Sequence, residues 1–207
     1  MLFFLLRYYY RIKPQISGFI FKLLFSHKKL KIGKNFQCDT FPKVLLDKTA
    51  SIEIGNNVIF RRNVELRAHG TSKVNIGDNC RIDRGVRILG ANKAQIVFEE
   101  GVRMGLYTVL NGGDSIRIGK KSLVSGYVYL QTSMHNYEGN SSIQKQGYTH
   151  APIDLGNDIW LGTHVVIFPG TTLGDKSIVG SSSVVNQSFD QNSIVAGIPA
   201  KLIKKRS

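Results

Sequence analysis

The residues best suited to chemistry in this 207-residue chain are gathered in one polar stretch, residues 131–154 (QTSMHNYEGNSSIQKQGYTHAPID). It holds two of the five histidines, His135 near its start and His150 near its end. A neutral imidazole can take a proton from a hydroxyl within hydrogen-bond reach and return it to a leaving group. His135 is a candidate general base. Asn136, Glu138 or a backbone carbonyl would hold its tautomer, and residue order does not choose among them. His150 reads as structural and His164 as a solvent-facing corner residue; His27 and His69 carry no assignment. Lys201 and Lys204 lie beyond the last acid, Asp190, and suit an anionic group such as a phosphate. No two histidines stand at a close ligand spacing and neither cysteine neighbours one. A zinc site is therefore not expected, and no metal is assigned.

The polar stretch interrupts a repeat. Downstream, aliphatic residues recur every six positions: Leu155, Leu161, Ile167, Leu173, Val179, Val185. Four positions after each comes a second residue, Ile159, Val165, Thr171, Ser177 and Ser183, aliphatic at first and then small. Period six is a multiple of the strand period of two, so the marked side chains share one face of an extended chain. In a helix six residues turn through about 600°, and the stripe would drift. The pattern predicts a parallel β-helix in which each unit is a short strand plus a corner. Gly156, Gly162, Gly174 and Gly180 follow the inward aliphatic residue, where the backbone is crowded or takes positive φ. Upstream the ladder is less regular: Ile32-Gly33 opens it, Ile54, Phe60 and Leu66 form one row, and Ile76, Ile82 and Ile88 the next. Ala68–Lys73 and Ala91–Ala94 read as corner insertions. The row Ile118, Val124, Leu130 runs into the polar break, and a long polar excursion from a tight solenoid points to function.

The formal charge is +14, and its location restricts the partners. Residues 1–34 carry eight basic residues and no acid. The tail adds Lys201, Lys204, Lys205 and Arg206. The body between is near neutral. A nucleic-acid binder carries its charge as a stripe across the folded face, so nucleic acid is not the expected partner. An anionic membrane surface, cofactor or substrate fits charged ends better. Cys38 and Cys80 fall on stripe positions as small apolar fillers, which suits a reducing compartment. Met1–Leu6 is too short for a signal-peptide core, and no stretch of 18 uncharged apolar residues exists to span a bilayer. The expected location is cytoplasmic, with a peripheral contact on the inner face of the membrane.

Three regions follow: 1–30, a basic aromatic N-terminal segment; 31–203, the β-helix with its loop; and 204–207, a basic tail. Residues 1–26 mix aromatic, apolar and basic side chains, with Pro14 and Gly18 expected to interrupt any single long helix. The segment reads as a cap over the open end of the solenoid or as a membrane-surface element. Gly197-Ile198-Pro199-Ala200 reads as an exit turn that ends the sheet.

Three pieces are specific in combination: Thr132-Ser133-Met134-His135-Asn136 in the break, Ile159-Trp160-Leu161-Gly162 where the ladder resumes, and Gly197-Ile198-Pro199-Ala200-Lys201 at the exit. Together they resemble the hexapeptide-repeat acyltransferases, especially the galactoside and maltose acetyltransferases and the polysaccharide O-acetyltransferases. The resemblance implies an all-β, left-handed parallel β-helix with a short helical N-terminal segment and a protruding loop. It implies a homotrimer with acetyl-CoA in a groove between subunits. It makes His135 the base for direct attack of a sugar hydroxyl on the thioester, without an acyl-enzyme, on a bacterial surface polysaccharide or its precursor. The oxyanion donor would be a backbone N–H near Trp160-Leu161-Gly162-Thr163, with Gly162 allowing close approach. Thr163, Ser181, Asn186 and Gln187 fall on cofactor-contacting positions, the last two where relatives have Thr-Lys. Lys201 and Lys204 match phosphate-contacting positions, and Trp160 lines the pantetheine groove or packs the turn. The family's acceptor-side Asn is replaced by Gly105, which leaves Asn111, Tyr107 and Gln131 as acceptor contacts. Two other readings remain open: N-acetylation of an amino sugar or drug, and a non-catalytic scaffold.

Overall fold

The protein, described here over residues 2–206 from a computed structural model, is a parallel β-solenoid with one N-terminal helix. Three sheets make the walls. A first face of seven strands runs from Leu30–Ile32 to Thr172–Leu173. A second face of nine runs from Gln37–Cys38 to Ala200–Lys205. A third face of seven runs from Lys43–Leu46 to Val184–Val185. The chain visits the faces in that order, so each six-residue step of the ladder is one face and three steps complete a coil. Ile54, Phe60 and Leu66 are three successive walls of one coil, all buried. Downstream coils keep the strict length of 18, as between Asp154 and Thr172. Upstream coils are longer, 22 residues from Lys31 to Glu53. The extra residues sit in four-residue strands and in the corner between third and first faces.

Alternation along each short strand supplies the core, because every second side chain points inward. Ile52, Val74, Ile96, Ile116 and Ile153 stack in register through the first face, all buried. The small residues on the downstream ladder are buried and satisfied. Ser177 Oγ donates to Gly174 O at 2.7 Å, and Ser183 Oγ accepts from Gly197 N–H at 3.0 Å. The glycines after the inward aliphatics serve crowding rather than positive φ. A Cβ on Gly162 would stand 2.6 Å from Ser181 N in the next coil. Positive φ falls two residues later, at Asp158, His164, Lys176 and Ser182. Cys38 and Cys80 are buried, and burial pushes their thiols up to about 12 and about 11.

Two expectations are corrected. Pro14 and Gly18 do not break the N-terminal segment: one helix runs Leu2–Phe25 through both. The interior proline costs a hydrogen bond, and tertiary packing compensates. Pro14, Gly18 and Phe21 share one helix face and are buried. Phe21 packs against Phe36 and Phe41 of the first coil, with ring centroids at 6.0 and 5.4 Å. A Cβ on Gly18 would stand 2.1 Å from Phe36 O, so the helix crosses the coil where only glycine fits. The opposite helix face leaves Ile16, Phe19, Leu23 and Leu24 exposed. Among the described residues no helix is long and apolar enough to cross a membrane.

The second correction is at the exit. Gly197-Ile198-Pro199-Ala200 does not end the sheet but reverses the chain. Ala200–Lys205 pairs antiparallel with Ser193–Gly197, so Lys204 and Lys205 stand opposite Ile194 and Ser193 within a strand instead of opening a free tail. The last parallel strand would otherwise leave an unpaired edge, and the returning strand satisfies it.

Candidate functional site

The solenoid sends out one antiparallel hairpin. After Gln131 on the third face, the chain leaves the third–first corner as Ser133–His135, paired with Tyr148–His150. It re-enters the first face at Ile153, in register with Ile116. Buried Thr132 anchors the root: its Oγ1 donates to Asn111 O at 3.1 Å and accepts from Asp114 N–H at 2.9 Å. Ala151 N–H donates to Thr132 O at 3.0 Å, closing the root from the other side. Both polar side chains expected to orient the base do other things or nothing. Asn136 Nδ2 donates to Gln146 O at 3.0 Å and its Oδ1 accepts from Thr149 Oγ1 at 2.6 Å, which ties the hairpin's two arms together. Glu138 is exposed at the tip and makes no hydrogen bond among the described residues.

His135 is exposed near the end of its strand, opposite Tyr148, with ring centroids 4.2 Å apart. Among the described residues neither ring nitrogen of His135 has a hydrogen-bond partner. His150 differs: its Nδ1 lies 2.8 Å from Ser133 Oγ, which ties it to the opposite strand. His164 is exposed but not free, since its ring stacks on Tyr127 at 5.0 Å and its Nδ1 lies 3.0 Å from Thr163 Oγ1. Tyr127 in turn stacks on Tyr107 at 5.6 Å.

The residues expected at the cofactor divide by face. Trp160 stands outward on the second face, half-exposed, with its Nε1 donating to Ser125 Oγ at 3.4 Å. Gly162, Thr163 and Ser181 occupy the second–third corner of two adjacent coils, where Ser182 N–H donates to Thr163 O at 2.8 Å. The N–H groups of Trp160 and Gly162 are consumed by Ser177 O and Val179 O. Those of Thr163 and Ser181 have no partner among the described residues. Of Trp160, Gly162 and Thr163, only Thr163 keeps an N–H open to an incoming acceptor, and that of Gly162 is taken. Thr163 Oγ1 donates to Gly126 O at 2.9 Å and fixes the turn. Lys201 and Lys204 lie on the last strand at the edge of the second face, exposed and without an ion pair among the described residues. Asn186 and Gln187 follow Val184–Val185 at the far side of the third face, and Gln187 Nε2 donates to Ala200 O at 3.1 Å.

The expected acceptor contacts also divide. Asn111 and Gln131 are register partners on the third face, beside the root of the hairpin. Gln131 Nε2 donates to Ser133 O at 2.6 Å and steadies the outgoing strand. Tyr107 lies at the opposite corner of that face, in the stack with Tyr127. Sequence reasoning passed over one more group, Arg81, Asp83 and Arg103, which line a hollow on the second face beside Trp160. Twenty-two residues separate Arg81 from Arg103, and only the coil length brings them side by side.

No family model matches the chain. It is 28% identical over 187 residues to a protein named for lipopolysaccharide biosynthesis O-acetyl transfer, WbbJ of Escherichia coli (strain K12), covering 85% of this chain and 93% of the relative. It is 30% identical over 154 residues to a protein named as a colanic acid biosynthesis acetyltransferase, WcaF of the same strain, covering 74% of this chain and 69% of the relative. Among solved structures, AntD, an N-acyltransferase from Bacillus cereus in complex with dTDP-4-amino-4,6-dideoxyglucose and coenzyme A, matches with a TM-score of 0.63 at 22% identity, covering 85% of this chain and 83% of that one.

Proposed function

The chain belongs to the hexapeptide-repeat acetyltransferases, and from that membership we propose that it transfers the acetyl group of acetyl-CoA to a sugar hydroxyl of a bacterial surface polysaccharide or its precursor. The observation that carries this reading is an unheld imidazole, His135, projected from the solenoid on a hairpin whose root is fixed by Thr132.

His135 takes the proton from the attacking hydroxyl. The oxygen adds to the thioester carbonyl, and Thr163 N–H receives the developing oxyanion. Collapse expels the coenzyme's thiolate, which takes the proton back from the imidazolium. No acyl-enzyme is required. Trp160 offers an apolar wall to the pantetheine arm, and Lys201 and Lys204 offer cations to the phosphates.

The site requires more than one copy of the chain. In a three-sided solenoid, the third–first corner that bears His135 is the vertex opposite the second face that bears Trp160. The base and the cofactor wall of one chain thus look away from each other. A homotrimer brings the hairpin of one subunit to the second face of the next, and the ring nitrogens of His135 find their partner there. Relatives named for lipopolysaccharide and colanic acid biosynthesis support a polysaccharide acceptor.

The N-terminal helix adds a place of work. Its buried face covers the first coil, while Ile16, Phe19, Leu23 and Leu24 are exposed on the other side of a segment that carries Arg7, Arg11 and Lys13 and has no acid before Asp39. An exposed apolar stripe on a basic, acid-free segment suits the anionic inner surface of a membrane.

Thiol release from acetyl-CoA against a panel of sugars and surface glycans, for wild type and His135→Ala, tests the chemistry. Acceptor-dependent release that falls by about 10²–10⁴ in the variant supports it; full activity in the variant overturns the base. Sedimentation with vesicles containing anionic lipid tests the helix. Replacing Phe19, Leu23 and Leu24 by Ser leaves the buried face intact and abolishes co-sedimentation; unchanged partition overturns the membrane contact.

A further inference from the structure

From its third strand on, the outward column of the second face reads, in register, Arg81, Arg103, Leu123, Trp160, Ile178, Ile194, Lys204. Trp160 stands midway between Arg81 and Lys204. Lys204 is three strands away on one side and Arg81 three strands away on the other, roughly 14 Å each at the usual strand spacing. The lysine end suits the cofactor's phosphates, which leaves the arginine end without an assigned anion.

Two like charges directly opposite each other on a sheet repel, so a chain gains nothing structural from this pair. Elsewhere the solenoid neutralises its strand arginines. Arg117 bridges Glu99 and Asp154, and Arg67 and Arg87 both reach Glu65. Nearby Arg61 pairs with Asp39 at 3.2 Å. Arg81 and Arg103 are exposed, and among the described residues neither has a carboxylate partner. Asp83 lines the same hollow, yet among the described residues its side chain accepts only from Arg84 N–H, at 2.7 Å. The hollow also includes Leu123, Ser125 and Trp160, so it is continuous with the proposed thioester end.

We propose that Arg81 and Arg103 bind an acidic group of the acceptor, so that the sugar receiving the acetyl group bears, or is joined to, a carboxylate or a phosphate. Two guanidinium forks side by side match either anion, each through paired N–H···O bonds. Asp83 then accepts from a sugar hydroxyl at the rim. This proposal rests on the acetyl-transfer reading and extends it to substrate class.

The test is steady-state thiol release with three acceptor arms: a neutral oligosaccharide, a uronate-containing oligosaccharide and a nucleotide-diphosphate sugar. Wild type is compared with Arg81→Gln, Arg103→Gln, the double variant and the double Lys variant. Transfer to an acidic arm and not to the neutral one is the expected result, and the arm that works separates carboxylate from phosphate. Each Gln substitution raises KM for that acceptor about tenfold to a hundredfold, the usual worth of a charged hydrogen-bonded contact. KM for acetyl-CoA stays at its wild-type value, and the Lys pair restores part of the loss. Equal use of the neutral acceptor overturns the proposal. So does a rise in the acetyl-CoA KM alone, which would give the arginines to the donor, or dissociation of the oligomer in the double variant, which would give them to a subunit contact. Calorimetry with acetyl-CoA keeps the two readings apart: no binding sinks the transferase itself, whereas binding with transfer to neutral sugars sinks only this proposal.

Discussion

The ring of His135 lies 4.2 Å from that of Tyr148, its register partner across the hairpin. No hydrogen bond among the described residues fixes either imidazole nitrogen, so the tyrosine ring is the contact that aims the proposed base within this chain. Aromatic pairs of this kind are worth about 0.5–1.5 kcal/mol. Tyr148→Ala is expected to lower kcat up to about tenfold with little change in KM for acetyl-CoA, while Tyr148→Phe keeps the ring and the rate. Equal losses in both variants, read by thiol release, would give the role to the hydroxyl instead.

Gly162 crowds against the next coil at the proposed cofactor corner. An alanine Cβ there would stand 2.6 Å from Ser181 N, a backbone atom. Gly162→Ala should destabilise the protein by about 1–3 kcal/mol and push Thr163 out of line. A lower urea midpoint and weaker acetyl-CoA binding are expected; a variant as stable as wild type would mean that the coils slide apart at no cost.

The helix is held at two points. Phe21→Ala removes a buried ring and should cost about 3–5 kcal/mol. Gly18→Ala forces the helix off Phe36 O, which a Cβ would approach to 2.1 Å. Both variants should expose residues 2–25 to limited proteolysis before the body melts. Cleavage no faster than in wild type would show that the helix docks through other contacts.

Acid should loosen the coils. Asp78 Oδ1 accepts from Asn56 N–H at 2.7 Å, and Asp175 Oδ1 accepts from Asn157 N–H at 2.8 Å. These backbone bonds hold both carboxyls below the usual carboxylate range. A folded-state pKa below the unfolded one stabilises at pH above the unfolded value, near about 4, and the gain is lost as pH falls through the folded value. The urea midpoint should therefore drop between about pH 5 and about pH 2. The drop should be shallower in the Asp78→Asn, Asp175→Asn double variant, and equal slopes would remove these carboxylates from the acid response.

The cysteines should be silent in the folded protein. Burial pushes Cys38 up to about 12 and Cys80 up to about 11, so neither is a thiolate at neutral pH. Iodoacetamide at pH 8 should label neither until denaturant is added, and then both. Rapid labelling of the native protein would mean that the coils open locally.

The solenoid and its interruption were legible in the residues because each rests on short-range order. Strand alternation is a backbone property with period two, so Leu155, Leu161 and Ile167 declare their inward direction without reference to any other coil. The polar run around His135 is visible because it breaks that alternation. Pro14 and Gly18 misled for the same reason: local propensity reports a broken helix, and only docking on Phe36 and Phe41 decides otherwise. The pairing of Arg81 with Arg103, the returning strand that holds Lys204, and the opposition of the His135 corner to the Trp160 face all depend on which coil lies on which. Coil length varies from 22 residues to 18, with the hairpin inserted in one coil, and no single period predicts that stacking. Tertiary structure settles it, because hydrogen bonds between coils join residues distant in sequence and set the register that composes a surface.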